Sequence, residues 1–312
     1  MNLEAIPPAL LAERLAGPGL LLGTGPFLTR LGTSLPELVA PLRLLYADFP
    51  VEEREEIVDF DVRIEPSSPL SRLTRRHAAF LVDGRRAFDP FPRAHALPML
   101  EWILNWCFYS RPHCYLILHS AVLERDGRAL LLSGAPGAGK STLCAGLALR
   151  GWRLLSDEVA LIRPGSRLVV PAPRPIGLKE SSIEILRGFE PGAALGPSTP
   201  GTRKGIVAHL RPSREAVERA RVPAEPAWIA FPHFSPGAPA SIRPVTRAEA
   251  FLRVAENAFN YSLLGQAGFD TLAGVIDGCS CCELRYGSLA EGMALAEQFC
   301  AEPAGARVRD AG

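Results

Sequence analysis

Gly-Ala-Pro-Gly-Ala-Gly-Lys-Ser, residues 134–141, has the form G-x-x-x-x-G-K-[ST], and each position in that pattern has a physical task. The glycines let the backbone curl so that successive N–H groups face one anion. The lysine brings a mobile cation to the terminal phosphates, and the serine hydroxyl suits a divalent metal. The candidate nucleotide-contacting residues are therefore Gly134, Ala135, Pro136, Gly137, Ala138, Gly139, Lys140, Ser141 and Thr142. The flanks supply the setting the motif requires. Residues 128–133 are an apolar run fit for a buried strand. Residues 140–150 have helical spacing, with Leu143, Leu147 and Ala148 on one face, and Gly151 stands where a helix ends.

Working outward, Asp126-Gly127 reads as a tight turn between a strand over residues 115–123 and the strand entering the loop. The two strands would then be antiparallel, whereas doubly wound nucleotide-binding sheets join parallel neighbours through helices. On the far side, residues 152–156 read as the next strand, ending at Asp157-Glu158. Asp157 is 157 − 140 = 17 residues past the lysine, and one helix plus one strand is the distance that returns the chain to the loop. A carboxylate there can take a proton from an attacking hydroxyl, hold Mg²⁺, or do both. Glu158 is a second candidate metal ligand, directly or through water. The plain alternative makes Asp157 a turn residue capping its strand. His119 sits among Leu116, Leu118, Ala121 and Leu123; it reads equally as a satisfied core residue or as a group beside the phosphate loop.

Composition narrows the class. The 312 residues are 47% hydrophobic and 21% charged with a formal net charge of +1, which is globular and gives no electrostatic case for nucleic acid or an anionic membrane. No stretch approaches the ~20 apolar residues of a membrane helix, and the first residues lack a basic-then-apolar secretory pattern. The seven cysteines are odd in number. Cys107, Cys114 and Cys144 read as small buried hydrophobes. Cys279, Cys281 and Cys282 lack metal-ligand spacing and fall on an alternating, strand-like segment over 278–287. A reducing, cytoplasmic location fits this usage.

Along the chain, residues 1–110 read as a separate α+β module of unknown role. It has short strands at 20–22, 27–31 and 57–64, a helix at 36–45, and a hairpin around Asp83-Gly84. A helix follows over 97–107, with Trp102 and Trp106 four apart on one face, for core or inter-domain packing in preference to stacking on a ligand. Residues 111–300 hold the loop domain, with hairpin strands at 159–162 and 168–170. A short charged helix at 214–221, a strand at 227–231 and amphipathic helices at 247–259 and 289–299 follow. Residues 301–312 read as a flexible tail. Residues 187–205 are rich in Gly, Pro, Ser and Thr, either a slack surface loop or a mobile lid. Arg203 and Lys204 beside Gly205 are cations suited to a triphosphate.

Residues 118–124, the Asp-Gly turn, residues 134–141 and the run Arg-Gly-Trp-Arg-Leu-Leu-Ser-Asp-Glu at 150–158 together resemble HPr kinase/phosphorylase, and more specifically the HprK-related kinase A group. Glu101-Trp102, Asn105-Trp106-Cys107, Arg174-Pro175-Ile176, Leu178-Lys179, Lys204-Gly205, Ala208-His209-Leu210 and Phe259-Asn260-Tyr261 extend the resemblance over nearly the whole chain. It implies an α/β fold: a P-loop kinase domain of the phosphoenolpyruvate carboxykinase/HPr kinase-like type, with a mixed sheet, after the α+β N-terminal module. It also implies an ATP-dependent serine kinase with ATP and Mg²⁺ as cofactors. In that reading Asp157 is the catalytic carboxylate, Lys140 and His119 assist it, and Ser141, Glu158 and Asp157 hold the metal. The acceptor it implies is a protein or peptide, HPr-like or a PqqD-associated carrier, and it allows a homo-oligomer. Glu158 stands where the family has a second aspartate, and no Glu-Ile-Arg-Gly segment follows, so phosphorylase activity is not implied. Two other readings remain: a small-molecule P-loop kinase, and an ATP-binding regulatory module without transfer activity.

Overall fold

The structure is a computed structural model describing residues 1–53, 57–74 and 76–301. Helix α1 (Pro8–Ala16) opens on a proline, whose missing N–H costs nothing in a first turn, and buries Leu11 and Leu15. β1 (Leu20–Thr24) and β2 (Phe27–Thr33) alternate in burial and pair antiparallel, Leu20 opposite Leu31. α2 (Val39–Leu45) and β3 (Val51–Glu52) lead to β4 (Phe60–Pro66), which starts three residues later than its sequence pattern predicts because Ile57 is solvent-exposed. α3 (Pro69–Thr74) precedes β5 (His77–Val82) and β6 (Arg85–Arg86). These two strands are joined at Asp83-Gly84, where both residues have positive φ as a tight hairpin needs. β7 (Phe91–Pro92) also pairs with β5. Among the described residues these strands form one sheet in the order β3-β1-β2-β4-β5-β6, closed by the long helix α4 (Ala96–Ser110). α4 buries Leu100, Ile103, Leu104, Cys107 and Phe108 and leaves Trp102 and Asn105 only half-covered.

The second part begins with a departure from the predicted pattern. The apolar run over 115–123 is two strands, β8 (Leu116–Leu118) and β9 (Ser120–Arg125), in different sheets. The chain breaks at His119, whose N–H goes to the carbonyl of Asn257 rather than to a strand neighbour. Both strands are buried on all sides, so the sequence carries no change of period to mark the break. Cys114 is likewise exposed in a turn, not buried in a strand.

β9 and β10 (Arg128–Ser133) form the expected antiparallel hairpin, Asp126 and Gly127 both at positive φ. α5 (Lys140–Ala148), β11 (Arg153–Ser156), β12 (Ala160–Ile162), β13 (Val169–Val170) and β14 (Ile176–Lys179) follow. The segment over 187–205 is not one slack loop. It holds the end of α6 (Ser181–Phe189) and β15 (Thr199–Thr202), whose hairpin with β16 (Gly205–Leu210) carries Arg203 and Lys204 at its tip. Its small, polar residues suit the turns that punctuate these pieces. α7 (Arg214–Glu218), β17 (Glu225–Phe234), β18 (Ser241–Pro244), α8 (Arg247–Glu256), α9 (Tyr261–Leu264), α10 (Gln266–Gly278), β19 (Ser280–Tyr286) and α11 (Leu289–Ala301) complete the fold. Ala301 is helical; the tail expected beyond it lies outside the described residues.

The main sheet runs β11-β9-β10-β17-β19-β18. β17 is parallel to β10 and β19 to β17, while β9 is antiparallel to both β10 and β11, so the sheet is mixed. Leu123, Leu132, Leu143, Leu147, Leu284 and Met293 form the core on the α5 and α11 face. Val122, Leu131, Ile229, Leu272 and Ile276 form it on the α8 and α10 face. Cys281 joins one core and Cys282 the other, as strand alternation dictates, and burial pushes both thiols up. The N-terminal core does not stop at residue 110: Ile117, Val159, Leu161, Val170 and Ala172 belong to it. Among the described residues no helix is long and apolar enough to cross a membrane.

Candidate functional site

Sheet topology brings the loop and the Asp-Glu pair together. β9 is antiparallel to both neighbours, so β10 and β11 run the same way one strand apart, and their C-terminal ends, Ser133 and Ser156, lie at one edge. Open α/β sheets place ligands at such an edge. Gly134, Gly137 and Gly139 have φ of +138°, +85° and +95°, values an L side chain resists. Gly139 is also pinned sterically: a Cβ there would sit 2.8 Å from the Tyr286 hydroxyl and 3.0 Å from Cβ of Phe234. Ala135, Pro136 and Gly137 are exposed at the crest of the loop, and Ala138 is tied to β17 through its carbonyl, which accepts from the Phe234 N–H at 3.2 Å. Lys140 is the first residue of α5; its buried ammonium donates to the Gly134 carbonyl and, at 3.1 Å, to that of Ala135. The Thr142 hydroxyl lies 2.7 Å from that of Ser182 on α6.

Asp157 and Glu158 follow β11 directly. Asp157 is buried, and its Oδ2 accepts the Gly177 N–H at 2.9 Å while Oδ1 has no partner among the described residues. Burial, then the Glu158 charge, pushes its carboxyl up to about 7, against the opposing pull of the Gly177 N–H, the Ser141 hydroxyl and Lys179. Lys140 is lowered by burial against the attraction of Asp157 and Glu158. Lys179, on β14, is lowered by burial and by its neighbour Lys204. His119 sits half-buried at the strand break, its ring 5.7 Å from Phe259. Burial and the Lys140 charge lower it against the opposing pull of Glu158, and the lowering favours the neutral imidazole. Lys140, Ser141, Asp157, Glu158, His119 and Lys204 thus share one electrostatic neighbourhood. Arg203 lies beside Lys204 on the hairpin tip.

The N-terminal part reaches this place through α4. Glu101 and Asn105 are one turn apart on it and face the second part of the chain. The Tyr46 hydroxyl donates to Glu101 at 2.8 Å, and Arg174 donates to the Glu101 carbonyl at 3.3 Å. Arg174 also donates to Asn105, whose amide donates to Glu158 at 2.8 Å. The Arg174 guanidinium lies 4.9 Å from the centre of the Phe108 ring. A continuous polar chain therefore runs from Tyr46 to Glu158, mostly buried. Burial outweighs the Arg174 charge at Glu101 and raises its carboxyl to about 7.

A cavity of about 650 Å³ opens between α4 and the ends of β11 and β14. Its lining includes Phe88, Phe91, Met99, Trp102 and the polar Asp89, His95, Glu101 and Asn105 from the N-terminal part, and Asp157, Glu158, Lys179, Lys204 and His209 from the second part. Trp102 and Trp106 pack on Phe88 at 4.8 and 5.1 Å between ring centres, so the packing expected of them is present, but Trp102 also faces the cavity. The residues that sequence reasoning left without a role are Asn105, Arg174, Lys179 and His209. Each lies in a segment that carries the family resemblance, and that was their sole signal. A lone arginine or histidine among apolar residues carries no spacing from which a partner could be read.

No protein-family model matches the chain, and no curated protein matches it. Among solved structures the chain is similar to the Hpr(Ser) kinase/phosphatase from Coxiella burnetii, at 14% identity over 59% of this chain and 97% of that one, with a TM-score of 0.25.

Proposed function

We propose that the protein is an ATP-dependent kinase that transfers the γ-phosphate to an alcohol hydroxyl. One observation carries the reading: a buried carboxyl, Asp157, stands beside the Ser141 hydroxyl of a glycine-rich loop. The backbone N–H groups of residue 135 and residues 137–141 would cradle the phosphates, and Lys140 would exchange its loop carbonyls for the β- and γ-phosphate oxygens. The acceptor oxygen attacks the γ-phosphorus, the bond to the ADP oxygen breaks, and the hydroxyl proton passes to Asp157. Lys179 and Lys204 would offset charge on the transferred group.

The donor set suits Mg²⁺. Ser141 supplies a hydroxyl, Glu158 and Asp157 supply carboxylates, and Mg²⁺ ordinarily takes one or two carboxylates plus phosphate oxygens. When bound it would supply Lewis-acid neutralisation of phosphate charge. Asn105 holds the Glu158 carboxylate in place, which links the N-terminal part to the metal position.

The resemblance in residues 118–158 supports a serine-like hydroxyl on a protein or carrier peptide, HPr-like or PqqD-associated, as acceptor. The cavity favours a second reading, a small-molecule alcohol, because its size is that of small-ligand sites. Incubation with Mg²⁺ and γ-labelled ATP, in the presence of candidate carrier peptides or of a low-molecular-weight extract, separates the two by which fraction carries the label. ATP binding with no turnover against either fraction would overturn the kinase reading and leave a nucleotide-binding regulatory module.

A further inference from the structure

We propose that the cavity under α4 is the acceptor pocket, and that it takes a compact alcohol bearing an aromatic group beside its hydroxyl. This deepens the phosphotransfer reading and rests on its small-molecule form.

The first support is size and position. About 650 Å³ lies within the ~300–1,000 Å³ of ordinary small-molecule sites, and the cavity touches Asp157 directly. The second is the division of its lining. Phe88, Phe91, Met99 and Trp102 give the cavity an apolar stretch of lining, and Asp157, Lys179 and His209 give it polar groups from the second part of the chain. Partly covered aromatic side chains on a cavity wall are surfaces against which a flat apolar group stacks, with edge or offset contacts.

The third is unmet hydrogen bonding. Glu101 Oε2, Asp157 Oδ1 and His209 Nδ1 are buried without a hydrogen bond among the described residues, and all three residues line the cavity. Arg174 stands 3.7 Å from Glu101 Oε2 and the Ser141 hydroxyl stands beside Asp157, which leaves His209 Nδ1 with no polar partner of its own among the described residues. Buried polar atoms in folded proteins are paired as a rule, so an orphan on a cavity wall points to a ligand that pairs it. His209 is kept neutral by burial, which pulls it down to about 4, so it offers the ligand a hydrogen bond rather than a charge. Asp157 faces the reacting hydroxyl; His209 would hold a second polar atom of the same molecule. Residues 88–92 and α4 line the same cavity as Asp157, so an acceptor hydroxyl reaches the carboxyl between them.

The probe is 2-phenylethanol, with ethanol as the ringless control. It is titrated into the full chain carrying ¹³C-methyl methionine, where Met99 lines the cavity and Met293 packs in the core against α5. The Met99 methyl should shift saturably in the millimolar range for so small a probe, Met293 should stay still, and ethanol should move neither. Trp102→Ala should weaken binding about tenfold and Trp102→Phe much less. Should Trp102→Ala fail to fold, Phe88→Ala tests the same lining at a half-buried residue. No saturable Met99 shift, or a shift Met293 shares, overturns the pocket. ATP affinity is measured in parallel: ATP binding without probe binding overturns the pocket alone, and probe binding without ATP affinity overturns the kinase reading alone.

Discussion

Asp157 is held by opposing influences: burial and Glu158 favour its proton, while the Gly177 N–H, Ser141 and Lys179 favour its charge. A residue so poised suits proton transfer near neutral pH. Asp157→Asn keeps the size and the Gly177 contact but cannot take a proton. It should leave ATP binding largely intact and lower turnover at least ~10²-fold, measured by coupled ADP release. Full activity in that variant would remove Asp157 as base. Lys140→Ala should weaken both ATP binding and turnover, since in the proposed mechanism the same ammonium serves both.

Glu101 offers a residue-scale test of pH dependence. Its carboxyl is raised from the usual carboxylate range to about 7, chiefly by burial. The folded state therefore holds this proton more tightly than the unfolded chain does. The resulting stabilisation is full at pH below the unfolded value near 4.5 and is lost as pH rises to about 7. Glu101→Gln lacks the titration. Its melting temperature relative to the native protein should climb between about pH 5 and pH 7 and then level off. Parallel curves would rule out a raised Glu101.

At the scale of elements, the loop works because its helix starts where a glycine must be. Gly139 caps α5 with φ of +95° against Tyr286 and Phe234, side chains brought there by β19 and β17. Gly139→Ala should destabilise the fold by about 1–3 kcal/mol in chemical denaturation and weaken ATP binding together. A stable variant that bound ATP normally would show that the loop tolerates rearrangement. The hairpin at Asp126-Gly127 and the run into α5 were legible because turn chemistry and helical period are local. The break at His119 was not, because β8 and β9 are equally apolar and differ only in the sheets they join. The β15–β16 hairpin was hidden for a similar reason: short strands rich in Gly and Thr resemble loop until their pairing is known.

For the whole molecule, the N-terminal part is built into the second part. Ile117, Val159, Leu161, Val170 and Ala172 share its core, and the turn at Gly25 presses on Pro171, where a Cβ would lie 2.3 Å from the carbonyl oxygen. Residues 111–301 expressed alone should therefore expose this apolar face, bind hydrophobic dye and melt without cooperativity. A cooperative melt with native-like amide dispersion would show that the second part folds independently. The same packing sets Asn105 against Glu158 and stands Trp102 over the cavity, so the N-terminal part belongs to the candidate site as well as to the core.

By itself the sequence determined the glycine loop, its strand and helix, the turn before it and the carboxylate pair that begins seventeen residues past the lysine. All of these are properties of neighbouring residues, written in spacing and in the backbone freedom of glycine. Tertiary structure alone decided that β9 runs between β10 and β11, which places Ser133 and Ser156 at one edge. It alone joined Tyr46, Glu101, Arg174 and Asn105 to Glu158, and it alone enclosed a cavity between two parts of the chain. Those contacts link residues separated by as many as 73 positions, such as Glu101 and Arg174, and burial and pairing at that range leave no periodic trace in the chain.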